Sequence, residues 1–186
     1  MPFRRQYAPG AAVFITQVIA YRIPIFRDDE LVDLLRAVLH EAQARYPFRM
    51  LAYVFLPDHF HLLIRPRPDI THSQIMHSVK PNFTKLYKQR ISFTGVGMRF
   101  WQARYYDHVI RDEEDFAHHL DYIHYNPVRH GYVSRPELWR HSSFGHWQQR
   151  GYYPERWGWS LPDSLHDFSV KDVEISSGCT LSACSP

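Results

Sequence analysis

The stretch "YVFLPDHFHLLIRP", residues 53–66, constrains the fold more than any other. Two apolar runs meet at Pro57-Asp58. A proline and an aspartate between β-branched and aromatic runs read as a tight turn, so the two runs form an antiparallel hairpin. The second run carries His59 and His61 with Phe60 between them. Alternate side chains of a strand share a face, so Phe60 and Leu62 point one way and both histidines the other. Two imidazoles on one strand face can meet at a single metal ion. With thirteen histidines in 186 residues, roughly one H-x-H triplet is expected by chance. The spacing alone therefore also fits two histidines on a solvated strand with no ligand.

The flanking segments place this hairpin. "AVFITQVIAYR" (12–22) is β-branched and aromatic and reads as a strand. In residues 27–46, Leu31, Leu34, Leu35, Val38, Leu39 and Ala42 recur at helical spacing, with Asp28 or Asp29 as N-cap and Pro47 as stop. The hairpin strands cover 49–57 and 59–66. A second helix covers about 73–89, with Pro81 expected to kink or shorten it. A fourth strand falls near 105–110. A third helix covers 112–131, with Asp112 as N-cap, acidic residues in its first turn and Gly131 at its end. The order β-α-β-β-α-β followed by a helix is the split β-α-β, ferredoxin-like plan, an α+β fold. It predicts an antiparallel sheet with two helices on one face and the other face free for a site. A domain over 1–157 and a C-terminal extension over 158–186, expected to be partly disordered, divide the chain. Cys179 and Cys184 both lie in that extension, which excludes a disulfide framework or a cysteine zinc clip for the domain.

The third helix supplies candidate partners for the histidines. At about 100° per residue, Phe116, Leu120, Ile123 and Pro127 form a buried stripe. Tyr122 and Asn126 stack one turn apart on its rim, and Tyr125 falls opposite, toward solvent. A rim tyrosine can act as a nucleophile, and an amide four residues on can complete a metal shell. An equally simple reading makes Tyr122 an amphipathic cover and Asn126 a helix-end residue before proline. Tyrosine has a pKa of about 10 and needs a base. His118, His119 or a metal-bound water could serve, although surface histidines at such spacings are also ordinary.

Composition narrows the function classes. Lys+Arg exceed Asp+Glu by 22 to 19, a formal charge of +3, which permits an anionic partner. Arg4, Arg5, Lys80, Lys85, Lys88, Arg90, Arg99 and Arg104 could grip phosphates, and Phe100, Trp101 and Tyr105 could stack on unpaired bases. No apolar run approaches the ~18 residues of a membrane span, and no secretory leader stands at the N-terminus; a cytoplasmic protein is expected.

These segments carry a resemblance. "LPDHFHLLIRP", "FWQARYYDHVIRDEEDFAHHLDYIHYNPVRHGYV" and "ELWRHSSF" resemble the REP-associated tyrosine transposases. That family groups with the single-tyrosine, single-strand transposases of the HUH endonuclease superfamily. The likeness runs from about Tyr7 to about Trp157. It implies the ferredoxin-like fold and a divalent cofactor, Mg²⁺ or Mn²⁺, with no nucleotide. His59 and His61 take the family's His–hydrophobic–His motif, Tyr122 its catalytic tyrosine and Asn126 the third metal ligand. The implied partner is single-stranded or hairpin-forming repetitive palindromic DNA, cut through a covalent 5′-phosphotyrosine. Monomer and homodimer both fit. A metal-dependent hydrolase without a covalent intermediate and a non-catalytic nucleic-acid-binding module are the alternatives.

Overall fold

The computed structural model describes residues 8–95, 97 and 99–168. Four strands form one sheet: β1 (Val13–Val18), β2 (Phe48–Leu56), β3 (His59–Pro66) and β4 (Tyr106–Val109). Their order is β2-β3-β1-β4, with every neighbouring pair antiparallel. This is the ferredoxin-like sheet the segment order predicts. β3 is central and pairs His59 with Val18 and Leu56, and His61 with Thr16 and Val54.

On one face lie α1 (Asp29–Arg45) and α2 (His72–Arg90). Asp28 caps α1 by accepting from the Glu30 N–H, and Thr71 with Gln74 closes a reciprocal capping box on α2. Leu35, Val38, Ile75, Val79 and Phe83 bury against Ile15, Phe60, Leu62 and Ile64 of the sheet. The expected break at Pro81 does not occur; α2 runs unbroken through it. Pro81 lies on the exposed side, while the apolar face on either side of it is held in the core, and packing outweighs the lost helix bond.

The other face is not free. Helix α3 (Glu113–Arg129) lies on it, and residues 135–168, including α4 (Phe144–Gln149), fold back over α3. Gly131, at φ +70°, stops α3 in the left-handed conformation that suits a helix end. The returning chain also seals the β2 edge. The Phe55 N–H donates to His141 O, the Ser143 N–H to Tyr53 O, and the Trp139 and Trp147 indoles to Phe55 O and Leu51 O. Phe144, Tyr153, Trp157 and Leu165 form a second core with Phe14, Leu63, Leu120 and Ile123. The packing continues past Trp157: Ser164 bonds Asp121, and Phe168 covers His119 and Tyr122.

This cover corrects the reading of α3. Tyr122 and Asn126 are not rim residues but fully buried, and Tyr125 is half-buried against Trp157 instead of facing solvent. A helix clasped between a sheet and a returning segment has no open side, so a single apolar stripe understates its burial. Polar groups on its back are satisfied by the cover: His124 by Tyr153 and Ser143, Asp121 by Tyr153 and Ser164.

Candidate active site

His59 and His61 do share a face, and it is the face that α3 covers. Their ring centres are 5.0 Å apart and nearly perpendicular. Each has one nitrogen fixed from behind. His59 Nδ1 lies 2.6 Å from Asp58 Oδ1, and Asp58 is held in turn by Arg22 at 3.0 Å. His61 Nδ1 lies 2.7 Å from Thr16 Oγ1. Such bonds at Nδ1 leave the Nε2 atoms as the candidate ligand nitrogens.

Helix α3 meets both rings. Tyr122 sits edge-on to His61 at 5.3 Å, and His130, at the helix end, sits edge-on to His59 at 5.4 Å. Asn126 follows Tyr122 by one helical turn and is fully buried. The tyrosine and both histidines thus come together, with Asn126 on the next turn of α3. His130 is the residue that sequence reasoning missed. Its signal was its place four residues past Asn126.

The polar accounting here is incomplete. His61 is 1% exposed and Asn126 0%, yet among the described residues His61 Nε2 and both amide atoms of Asn126 have no hydrogen-bond partner. Buried polar groups are nearly always paired, so these atoms mark a place for a ligand or a buried water. Burial, reinforced by His59, His130 and Arg129, holds the His61 pKa well below its usual value. It is therefore a neutral imidazole, the form that binds a metal. The donor set fits a divalent ion with open positions: two imidazole nitrogens and one amide oxygen, with no cysteine.

A second cluster lies beside the first. Ligand atoms of His108, Asp115 and His119 fall within 4.8 Å of one another. Here, by contrast, the groups satisfy each other. Asp115 Oδ2 accepts from the Arg111 N–H and Nε–H and lies 2.8 Å from His108 Nε2, and His119 Nδ1 lies 2.8 Å from Asp115 O. Burial would raise the Asp115 pKa, but these hydrogen bonds outweigh it and hold the carboxyl well below its usual range. Burial lowers His119 to about 4. The Arg111 charge already occupies the place of a cation, so this cluster reads as a closed network and not a metal site.

The basic residues collect on the opposite face. Lys80, Lys85 and Lys88 line a groove of about 820 Å³ along α2, closed by Phe93 and an edge of Trp101. Arg99 and Arg104 are exposed, Arg90 pairs with Glu30, and Arg4 and Arg5 lie outside the described residues. Phe100, Trp101 and Tyr105 correct an expectation: they are 7%, 7% and 8% exposed and belong to the α1/α2 core. Phe100 packs on Tyr87 and Phe83, and the Trp101 indole donates to Lys80 O and Thr84 Oγ1. Their faces are covered by protein, which leaves no platform for a base on Phe100 or Tyr105.

Residues 11–126, from just before β1 to Asn126, match the family described as transposase, IS200-like. The chain belongs to that family, among the REP-associated tyrosine transposases. A Haemophilus influenzae protein named as a REP-associated tyrosine transposase is 36% identical over 165 residues, covering 84% of this chain and 92% of its own. The REP-associated tyrosine transposase of Escherichia coli K12 is 32% identical over 176 residues, covering 94% and 98%. A solved REP-associated tyrosine transposase, bound to a REP hairpin, superposes with a TM-score of 0.74 at 30% identity, covering 88% of this chain and 94% of that one. The chain is thus a transposase enzyme, and its four-stranded antiparallel sheet is the transposase sheet. Among the described residues no helix is long and apolar enough to cross a membrane.

Proposed function

We propose that the chain is a metal-dependent single-strand DNA endonuclease and strand transferase acting on hairpin-forming repetitive palindromic DNA. The observation that carries this reading is the meeting of Tyr122 with His61 beside three buried polar atoms that lack partners. The solved relative's REP hairpin supports the choice of substrate.

In this reading His59, His61 and Asn126 hold Mg²⁺ or Mn²⁺, which when bound supplies Lewis-acid polarisation of a non-bridging phosphate oxygen. Asp58 and Thr16 hold the imidazoles in the tautomer that leaves Nε2 unprotonated. The Tyr122 oxygen attacks phosphorus in line; its O–H proton is lost, the O–P bond forms, and the bond to the 3′ oxygen breaks. The products are a 5′-phosphotyrosine and a strand end whose 3′ oxygen takes up a proton. Because the phosphotyrosine conserves the phosphodiester, a 3′-hydroxyl can later attack it and restore a strand without ATP. Lys80, Lys85 and Lys88 give the flanking strand a phosphate track.

The test is incubation with labelled single-stranded palindromes from the encoding genome. A covalent protein–DNA species that needs Mn²⁺ or Mg²⁺, vanishes in Tyr122→Phe and persists in Tyr125→Phe is expected. Cleavage without an adduct would mean plain hydrolysis. Hairpin binding with no cleavage of any strand would mean a binding module.

A further inference from the structure

Arg129 lies seven residues past Tyr122 on the face of α3 that meets β3, and its guanidinium carbon stands 5.4 Å from the centre of the Tyr122 ring. Tyr122 is 2% exposed, whereas Arg129 is an exposed residue. The guanidinium therefore links the buried ring to the protein surface. Arg129 is charged at any working pH.

We infer that Arg129 is a catalytic residue for strand transfer: its guanidinium binds the scissile phosphate on the Tyr122 side and stabilises the charge that develops there during attack. The inference rests on the proposed phosphotyrosine reaction. The chemistry calls for such a group. A phosphodiester under attack gathers negative charge on two non-bridging oxygens, and the incoming phenolate adds more. The three ligand residues, two imidazoles and an amide, bring no charge of their own. An arginine fork matches phosphate geometry and keeps its charge while the tyrosine loses its proton. A cation over an aromatic ring is also drawn to the electron-rich phenolate more than to the neutral phenol. The plain alternative is that Arg129 complements the C-terminal end of the α3 dipole. Lysine would serve that purpose equally, and this separates the two.

The experiment compares Arg129→Ala, Arg129→Lys and Tyr122→Phe with the unaltered chain. Arg49→Ala is the charge control, since Arg49 is exposed at the far end of the sheet, paired with Arg65. Adduct formation is measured under single turnover with Mn²⁺ and a labelled palindromic oligonucleotide; Mn²⁺ binding is followed by electron paramagnetic resonance, and folding by thermal melting. Both Arg129 variants should form adduct roughly 100-fold more slowly. They should keep Mn²⁺ affinity and melting temperature, and added guanidinium should partly restore Arg129→Ala. Arg49→Ala should match the unaltered chain. If Arg129→Lys reacts at the full rate, or Arg129→Ala stays within threefold, the inference is wrong, while loss in Tyr122→Phe still upholds the parent reading. If Arg129→Ala melts early, Arg129→Lys alone decides. An adduct that survives in Tyr122→Phe would instead remove the parent reading.

Discussion

Thr16→Val tests whether the histidine pair is built for an ion. Thr16 and His61 face each other across β1 and β3, each 1% exposed, with Oγ1 and Nδ1 2.7 Å apart. Valine keeps the branched shape and fills the same space, so the change removes one hydrogen bond and little packing. It leaves the His61 ring with a choice. If Nδ1 keeps its proton, a buried donor is unsatisfied, which costs about 1–3 kcal/mol of stability. If the proton moves to Nε2, that donor is relieved, but the lone pair an ion would use is lost. Either way the ion-binding tautomer is disfavoured. Removing a bond behind a ligand histidine lowers metal affinity by about 10–100-fold, or about 1.4–2.8 kcal/mol.

The assay is paired: urea unfolding for stability, and Mn²⁺ titration of the folded protein for affinity. The expected result is a stability loss near 1–3 kcal/mol without metal and a Mn²⁺ affinity at least tenfold weaker. Double substitution with His61→Ala should show that the two changes are not additive, because Thr16 acts through that ring. The reasoning is refuted if Thr16→Val loses stability yet binds Mn²⁺ as before. The bond would then serve only the fold, and the buried Nε2 would need another explanation.

Three further outcomes follow from the packing and charge distribution. His119 and His124 are buried with pKa values lowered to about 4 and about 3; the unfolded chain protonates both near 6.5, so stability should fall as pH drops from about 6.5 to 5, by about 2 kcal/mol for each histidine. His124→Asn should flatten that melting-temperature profile by about one proton. At Gly158, with φ +77°, an added Cβ would lie 2.6 Å from Pro136 Cγ, so Gly158→Ala should destabilise by roughly 1–3 kcal/mol, read as earlier exposure of Trp157 fluorescence on heating. Replacing Lys80, Lys85 and Lys88 together by alanine should lower the slope of log affinity against log salt for a single-stranded oligonucleotide by about 2, measured by fluorescence anisotropy; an unchanged slope removes the groove from the strand's path.

Which parts of this molecule could be read from the chain, and which could not, follows from how each is held together. The sheet and its first two helices are local in sequence. Turn chemistry at Pro57-Asp58, a cap at Asp28 or Asp29 and clean apolar spacing each point to one structure, and the strand order follows. The site was legible as residue types, because alternation alone puts His59 and His61 on one face. Its burial was not legible. The segment that buries it, residues 135–168, carries aromatic anchors without periodicity, and such anchors declare their partners only in three dimensions. For the same reason Phe100 and Trp101 looked like base platforms, when their place is the α2 core.

Asn126 shows how burial changes the weight of a reading. On a half-exposed rim, an asparagine before Pro127 would be an ordinary helix-end residue, with water to satisfy its amide. At 0% exposure bulk water does not reach it, and a nitrogen and an oxygen stand unpaired among the described residues. Each such group costs about 1–3 kcal/mol, and a leucine at this position would remove both unpaired groups. A total domain stability of about 5–15 kcal/mol leaves little room for so large an idle cost. The amide is best understood as a group whose partner arrives with function, and its place one turn past Tyr122, which meets His61, suggests what kind of partner. Asn126→Leu should therefore raise the melting temperature of the metal-free protein and abolish Mn²⁺ protection against melting. If that variant were destabilised instead, the asparagine would be structural, and the three-ligand site would lose its third member.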